Sequence, residues 1–357
     1  MYQTKILRTI REQRILHDVS LELTYACNLD CFFCYNDRAK AGTPLSLAQY
    51  ERLLEDLARM QTLYLMLTGG EPMVHPHFFA IGQKARELGF VTRVRTNGHS
   101  LNRRMAERVR DEVDPYVVEV SLHGATADVH DRQTRLPGSF DRLLANLNAA
   151  GKAGLRLGVV TTPTAWNEHQ IGEMVALCDG LEIPIRFQGP VGPRDDGDTA
   201  PLAIQPSAAA WERVTELVEW RRALRDAEDG SVGNAAPTVE MERAPEVQAT
   251  CSVGVAGVDI DPYGNVQACM HLQESAGNLH QQSIEEIWNY SPLFQRARAR
   301  AVDAAKAFPG GKPQQFGAPI FCLAVEENAN KGCGQCGSGC GGSDGSSAGN
   351  LSRLAQT

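Results

Sequence analysis

The chain has 357 residues, of which 43% are hydrophobic and 22% charged, and this composition excludes a mainly disordered chain. A formal net charge of −8 does not favour a surface that binds nucleic acid. No apolar run approaches the roughly 20 residues that a membrane helix needs, and the N-terminus lacks the apolar core of a secretion signal. The sequence therefore predicts a globular protein of the cytoplasm without a nucleic-acid or membrane partner.

Short apolar runs alternate with longer amphipathic segments over the first two thirds of the chain. Strands are predicted at residues 19–24, 64–68, 91–96, 116–122, 155–161 and 183–187, and helices at 47–60, 77–88, 102–111, 140–153 and 167–177. This alternation indicates an α/β fold with a parallel sheet built from right-handed βαβ units. A further helix is predicted over 207–225, and the acidic segment 226–250, interrupted by Gly and Pro, is typical of a linker.

Ten cysteines form two groups and one outlier. Cys27, Cys31 and Cys34 follow the first predicted strand. Six more lie beyond residue 250: Cys251, Cys269, Cys322, Cys333, Cys336 and Cys340. In a cytoplasmic chain, clustered cysteines indicate metal ligands before disulfides. Cys178 stands alone on a predicted helix, which favours a buried apolar role.

The first group has three thiols on one tight loop, with spacings of four and three residues. A structural zinc site closes its shell with four ligands, and no fourth Cys or His follows within the next forty residues. An iron–sulfur cube held by three cysteines instead keeps one iron open for an external ligand. The spacing therefore favours a cube over a zinc knuckle.

This segment, C-x3-C-x-aromatic-C with Phe33 as the aromatic residue, resembles the signature of the radical SAM superfamily. The resemblance implies a [4Fe–4S] cluster on Cys27, Cys31 and Cys34, whose open iron binds S-adenosylmethionine. Reductive cleavage of that cofactor then yields a 5′-deoxyadenosyl radical, which abstracts a substrate hydrogen. The resemblance also implies a partial (β/α)6 barrel of the TIM type over 18–225, after an N-terminal extension over 1–17.

Two further motifs follow strands, where this family holds its cofactor. Gly69, Gly70, Glu71 and Pro72 follow the second predicted strand and resemble the motif that holds the methionine ammonium group. Glycines there let backbone approach a ligand closely, and Glu71 would supply a negative partner. Asn97 follows the third predicted strand in the same way.

Alternation along the fourth predicted strand places Ser121 on one face with Glu119 and His123. Ser121 matches the family position that hydrogen-bonds the cofactor, and either Arg135 or Arg142 would neutralise the cofactor carboxylate. His130 and Asp131 are expected in a solvated loop after this strand. The alternation also points polar residues inward, where a charged cofactor or an ion-pair network would accommodate them: Glu22, Thr24, Arg93, Arg95, Arg186 and Gln188.

The C-terminal cysteines resemble a SPASM or twitch domain, an auxiliary cluster-binding extension of radical SAM enzymes. Cys251 and Cys269 bracket a predicted hairpin with Gly264 at its turn, as in the opening of that domain. A second run, Cys333-x2-Cys336-x3-Cys340, departs from the family because its middle gap is three residues and Asp344 stands where the family has cysteine. The resemblance implies a Cys- and Gly-rich domain over 251–357, with a flexible tail.

Six cysteines cannot supply eight thiolates for two auxiliary [4Fe–4S] clusters, so alternatives stay open. In one arrangement, which we favour, Asp344 completes a cluster on Cys251 and Cys269, and a second cluster binds the remaining four: Cys322, Cys333, Cys336 and Cys340. A single auxiliary cluster is the second alternative. A zinc ion on those last four cysteines is the third.

Within this resemblance, auxiliary clusters accompany oxidative or redox-neutral work on peptides or on cofactors made from them. The leading prediction is an oxidoreductase that crosslinks or epimerises a ribosomally synthesised peptide (RiPP maturation), with a flavodoxin- or ferredoxin-type electron donor. The 26 residues before Cys27 are too few for a precursor-binding domain, so a separate recognition protein is expected. The alternatives are a tetrapyrrole (haem) propionate decarboxylase, with Arg93, Arg95 and Arg186 facing the propionates, and a zinc-stapled interaction protein without iron.

Overall fold

The computed structural model describes residues 9–10, 12–189, 191–229, 254–269 and 272–307. Its strands are β1 (Asp18–Glu22), β2 (Tyr64–Thr68), β3 (Val91–Thr96), β4 (Val117–Ser121), β5 (Leu157–Thr161), β6 (Ile185–Phe187), β7 (Gly257–Ile260), β8 (Asn265–Cys269) and β9 (Leu272–Asn278). Its helices are α1 (Leu47–Arg59), α2 (Phe78–Glu87), α3 (Arg103–Arg108), α4 (Ala127–Thr134), α5 (Ser139–Lys152), α6 (Ile171–Gly180), α7 (Ala208–Asp229), α8 (Ile284–Tyr290) and α9 (Pro292–Ala307). A π-helical turn (Val109–Val113) follows α3, and short 3₁₀ turns lie at Pro72–Val74, Glu168–Gln170 and Ala200–Ile204.

The strands form one sheet in the order β6-β5-β4-β3-β2-β1-β7-β8-β9. Strands β1 to β6 pair in parallel with their sequence neighbours, and helices connect them. The predicted α/β class and the partial six-stranded barrel are therefore confirmed, as an open sheet rather than a closed barrel. Apart from the segment after β4, the elements from β1 to α7 match the predicted ones with ends shifted by up to four residues, whereas β9 and α9 were not predicted.

Apolar spacing explains how the helices cover one face of the sheet. On α1, Tyr50, Leu53, Leu54 and Leu57 recur every three or four residues, and all are buried. They share one core with alternate strand residues, such as Val94 of β3. Each fully buried leucine contributes about 1.5–3 kcal/mol to stability. The opposite face, called here the inner face, carries the intervening polar residues: Glu22, Arg93, Arg95, Glu119, Ser121 and Arg186.

The segment after β4 differs from the prediction. The expected solvated loop around His130 is wrong, because these residues form α4 and His130 is only 1% exposed. Asp131 is engaged as well: its carboxylate accepts hydrogen bonds from the backbone N–H groups of Gly138 and Phe140 and from the Ser139 hydroxyl, at 2.6–2.8 Å. Asp131 therefore caps the start of α5 instead of facing solvent.

The predicted C-terminal hairpin continues the barrel sheet. Strand β7 pairs in parallel with β1, in a register that aligns Leu21 with Ile260, and β8 and β9 extend the sheet in antiparallel fashion. The predicted domain division at residue 251 stays a prediction. The predicted 226–250 linker lies mostly outside the described residues, as do several predicted ligands: Cys251, Cys322, Cys333, Cys336, Cys340 and Asp344.

Candidate active site

The three N-terminal cysteines lie on the loop over residues 27–34, called here the cluster loop, soon after β1 ends. All three are partly buried. The backbone N–H of Leu29 lies 3.5 Å from the Cys27 sulfur, and the Asn97 side-chain amide approaches the same sulfur at 3.6 Å. Both donors point at sulfur, which suits a thiolate ligand, because hydrogen bonds to cysteine sulfur tune iron–sulfur clusters.

The thiols of the cluster loop need a positive partner to ionise. Burial raises the pKa of Cys31, and the neighbouring Cys34 and Cys27 raise it further, while Arg38 acts in the opposite direction. Burial also raises the pKa of Cys27 and of Cys34. Three soft sulfur donors that repel one another as thiolates fit an iron–sulfur cluster, whose iron ions would neutralise them.

The ligands of a single metal ion are arranged differently from the ligands of an iron–sulfur cluster. Across the residues that the structure describes, no three His, Cys, Asp or Glu side chains group as the ligands of one metal ion. In a cube, each thiolate binds a different iron, so the sulfurs need not converge on one point. The role of Cys27, Cys31 and Cys34 as cluster ligands stays a prediction.

The loop after β2 lies directly against the segment that enters the cluster loop. Gly69 has a φ of +128°, and a Cβ atom there would lie 2.4 Å from the Thr24 carbonyl oxygen. A Cβ atom on Gly70 would lie 2.4 Å from the Ala26 carbonyl oxygen. The Gly70 N–H donates to the Thr24 carbonyl at 2.6 Å. Only glycine fits this approach, which explains the two glycines of the motif.

Glu71 ties the loop after β2 to the loop after β3. Its carboxylate is fully buried and accepts hydrogen bonds from the Thr96 hydroxyl and the Asn97 N–H, each at 2.9 Å, and from the Met73 N–H at 3.1 Å. The Asn97 side chain then donates to the Asn28 side-chain oxygen at 2.6 Å. Glu71 thus positions Asn97 at the cluster loop, and its direct contact with a cofactor stays a prediction.

Other predicted cofactor residues lie around the same loop. The Phe33 ring packs edge-on against His123, with 4.7 Å between ring centroids. Burial lowers the pKa of His123 to about 3, so this imidazole is neutral. Ser121 ends β4, and Pro72 begins the buried turn after Glu71.

The two candidate arginines differ in position. Arg135 follows α4 in a left-handed conformation, and its Nη1 atom lies 3.1 Å from the Asp30 carboxylate on the cluster loop. The Arg135 guanidinium also lies 5.0 Å from the centroid of the Phe32 ring. Arg142 lies exposed on α5. Of the two, Arg135 is the one that borders the cluster loop.

Two further arginines that the sequence did not single out hold the cluster loop. Arg194, in the segment after β6, donates to the carbonyl oxygens of Cys34 and Phe32, each at 2.9 Å. Arg38 donates to the Leu29 carbonyl. Neither arginine belongs to a local motif, and the alternation of strands does not reach them, so only the tertiary structure reveals these contacts.

The inner face carries an ion-pair network, which was one of the two alternatives for the inward polar residues. Arg93, Arg95 and Arg186 all approach Glu119. On β1, Glu22 accepts a hydrogen bond from the Tyr35 hydroxyl at 2.6 Å, and burial raises its pKa to about 8. The inner face therefore carries charged side chains on β1, β3, β4 and β6.

Comparison with known proteins identifies the family. The chain matches the radical SAM superfamily over residues 21–178 and an iron–sulfur cluster-binding domain, SPASM, over 251–313. It is 33% identical over 289 residues to the mycofactocin maturase MftC of Mycobacterium ulcerans, which covers 78% of this chain and 75% of that protein. It is 25% identical over 297 residues to an AdoMet-dependent heme synthase of Methanosarcina barkeri, covering 78% of this chain and 84% of that protein.

Solved structures agree on the fold. SuiB of Streptococcus suis, bound to S-adenosylmethionine, superimposes with a TM-score of 0.62 at 16% identity and covers 84% of this chain and 72% of its own. The enzyme anSMEcpe with bound AdoMet gives a TM-score of 0.58 at 11% identity, over 94% of this chain and 98% of its own.

The chain belongs to the radical SAM superfamily and carries a SPASM domain. The predicted family, fold and enzyme class are confirmed, and so are the predicted cofactors: a [4Fe–4S] cluster, S-adenosylmethionine and auxiliary iron–sulfur binding. Within the described ranges, no helix combines the length and apolar character needed to cross a bilayer.

Proposed function

We propose that this radical SAM enzyme matures a ribosomally synthesised peptide by crosslinking or epimerising its residues. The observation that carries the proposal is the match to the mycofactocin maturases, at 33% identity over about three quarters of both chains. Those relatives, and the subtilosin biosynthesis protein AlbA of Bacillus subtilis, are peptide-modifying enzymes. A peptide is therefore the substrate class that similarity to curated relatives favours.

The residues of this chain have separate roles in the proposal. Cys27, Cys31 and Cys34 would hold the cluster, and Asn97 would help shape the place for S-adenosylmethionine. When bound, these groups supply a 5′-deoxyadenosyl radical that removes one hydrogen atom from the substrate. Glu71 and Arg194 keep the surrounding loops in place through the bonds described above. The polar inner face, which is partly exposed, would receive the substrate segment.

The proposal includes partners and a location. A flavodoxin- or ferredoxin-type protein would supply the electron, and a separate recognition protein would present the peptide. The cytoplasm suits the enzyme because thiolate ligands of iron–sulfur clusters need a compartment that keeps cysteines reduced. Pull-down of the peptide with and without candidate recognition proteins would test the second partner.

The main experiment co-expresses this enzyme anaerobically with each short peptide encoded beside its gene. We expect one peptide to lose two hydrogens in its intact mass if a crosslink forms, or to keep its mass and gain a D-residue if epimerised. The change should vanish in the triple variant Cys27→Ala/Cys31→Ala/Cys34→Ala, which should also lose cluster iron.

Cys178→Ala is the matched control. Cys178 lies fully buried in the core on α6, away from the cluster loop, so this variant should keep its iron and the peptide product. An unchanged mass together with unchanged chirality in every neighbouring peptide would contradict the proposal. Survival of the product in the triple variant would contradict the assigned cluster ligands.

A second candidate function is modification of a tetrapyrrole with propionate side chains. The heme synthase relative at 25% identity favours it, and the arginines of the inner face would suit carboxylates. Incubation of the reconstituted enzyme with coproporphyrin and an electron donor distinguishes the two functions. Loss of carbon dioxide from the porphyrin, with no peptide product, would replace the peptide by the tetrapyrrole.

A further inference from the structure

Three arginines of the inner face converge on a single carboxylate. Arg95 of β3 places its Nε and Nη2 atoms 3.1 and 2.7 Å from one oxygen of Glu119. Arg186 of β6 places Nη2 2.6 Å from the other oxygen. Arg93 of β3 approaches that second oxygen only to 3.8 Å. Two guanidinium groups therefore donate to Glu119, and the third lies beyond hydrogen-bond distance.

The charge of this group is not balanced. Among the described residues, Glu119 is the one carboxylate within ion-pair distance of Arg93, Arg95 or Arg186. Burial opposes ionisation of Glu119, but the arginines outweigh it and hold its pKa below the usual value. Glu22 does not compensate, because it lies two strands away in the sheet and its pKa of about 8 keeps it protonated at neutral pH. Among the residues that the structure describes, three positive charges thus face one negative charge.

Arg93 also carries an unmet hydrogen-bond donor. Its Nε atom is buried and has no acceptor among the residues that the structure describes. A buried guanidinium donor without an acceptor is unfavourable, because the desolvation of the group is then uncompensated. The side chains of Arg93 and Arg186 are nevertheless 26% and 47% exposed, so an incoming anion can reach them.

The position of the group suits a substrate contact. Glu119 lies two residues before Ser121 on the same face of β4, about 7 Å along the strand. Opposite Glu119, β5 has Gly158, which has no side chain, and Arg186 reaches across from β6. The arginines therefore lie on the inner face, about 7 Å along the strands from Ser121, which ends β4.

We infer that Arg93, Arg95 and Arg186 bind a carboxylate of the substrate, and that Glu119 holds the guanidinium groups in position for it. The inference rests on the proposed function, since it takes the inner face as the substrate site. The carboxylate belongs to the C-terminus of the peptide or to one of its Asp or Glu side chains. Arginine suits this task because its planar fork can bind a carboxylate through two parallel hydrogen bonds.

The test measures anaerobic binding of fluorescent probes to the reconstituted enzyme with S-adenosylmethionine. The probes are the peptide encoded beside the gene, its C-terminal amide, and a version with Asn and Gln replacing Asp and Glu. Coproporphyrin and its methyl ester form a further pair. We expect wild-type enzyme to bind one charged probe about tenfold to hundredfold more tightly than its neutral twin, as charge-assisted hydrogen bonds allow.

Substitutions should change this discrimination in opposite directions. Arg93→Gln and Arg186→Gln should remove the preference for the charged probe, because they weaken binding of the charged probe more than binding of its neutral twin. Glu119→Gln keeps a side-chain oxygen that accepts from the guanidinium groups but removes the competing negative charge, so it should strengthen binding of the charged probe. Arg156→Gln is the matched control, because Arg156 pairs with Asp114 on the surface and should keep the wild-type preference. Circular dichroism confirms that each variant is folded.

The outcomes of these measurements identify the source of the carboxylate or overturn the carboxylate site. Loss of affinity on amidation assigns the C-terminal carboxylate, and loss on neutralising Asp and Glu assigns an acidic side chain. Discrimination by coproporphyrin alone keeps the arginine site and overturns the peptide function. If wild-type enzyme separates no charged probe from its neutral twin, or binds none of them, the carboxylate site is overturned. The same holds if both arginine variants keep the wild-type preference.

Discussion

Glu22 and Glu71 are buried carboxyls on either side of the cluster loop, and their surroundings differ. Glu71 accepts hydrogen bonds from Thr96, Asn97 and Met73, which favour its charged form, although burial still raises its pKa. Glu22 has fewer donors: burial raises its pKa to about 8, the Tyr35 hydroxyl opposes this shift, and Asp259 and Asp195 add to it. Glu22 is therefore protonated at neutral pH.

The first prediction concerns pH and Glu22. Its folded pKa of about 8 exceeds the usual 4.5, so the folded state keeps a proton that the unfolded state releases. The stability that this proton contributes is complete below pH 4.5 and is lost as pH rises to about 8. We expect wild-type protein to lose up to about 1.4 kcal/mol per pH unit in that window relative to Glu22→Gln. Unfolding free energies from pH 5 to 9 check this, and parallel profiles would count against it.

At the scale of helices, strands and loops, the loop after β2 packs closely against the loop after β1. We predict that Gly70→Ala pushes these two loops apart. The Cβ atom of the alanine would lie 2.4 Å from the Ala26 carbonyl oxygen and 2.7 Å from the Tyr25 carbonyl oxygen. Both contacts are backbone atoms, which cannot rotate away. We expect a loss of stability of about 1–3 kcal/mol, the usual range for overpacking. Iron per chain after anaerobic reconstitution should fall as well.

Gly180→Ala is the matched control for this substitution. A Cβ atom on Gly180, at the end of α6, would meet nothing within 4 Å. Alanine also has the higher helix propensity, so the thermal midpoint should stay the same or rise slightly. Equal iron content in Gly70→Ala and Gly180→Ala would mean that the loop after β2 does not support the cluster loop.

At the scale of helices and strands, the sequence predicts those elements whose buried residues follow an apolar periodicity. Strands β1 to β6 were predicted because apolar runs alternate with amphipathic helices. Helix α4 was missed because its buried side chains are polar: His130, Gln133 and Thr134. These residues are stabilised by hydrogen bonds, such as that from Gln133 Nε2 to the His123 carbonyl at 2.6 Å. Periodicity does not encode such bonds, and it does not encode the contacts of Arg194 either.

At the scale of the whole molecule, the sequence predicts the β7–β8 hairpin but not the strand of the barrel with which this hairpin pairs. Turn residues around Gly264 predict that β7 and β8 pair with each other. Nothing local indicates that β7 also pairs with β1, more than 230 residues earlier in the chain. The pairing follows from the apolar faces of both strands, since Val19 and Leu21 align with Val258 and Ile260, and the backbone pairing removes the exposed edge that β1 would otherwise have.

This pairing predicts that the barrel and the hairpin unfold as one cooperative unit. Leu21 and Ile260 are both fully buried and lie opposite each other, so Leu21→Ala and Ile260→Ala should each cost about 2–5 kcal/mol. Because the two side chains lie side by side on paired strands, the double variant should deviate from additivity by about 0.5–3 kcal/mol. The control pairs Ile260→Ala with Val159→Ala, which lies on β5, five strands away or about 24 Å as measured along the sheet. That pair should be additive within about 0.5 kcal/mol in urea unfolding. Additivity in both pairs would instead mean that β7 is not energetically coupled to the barrel.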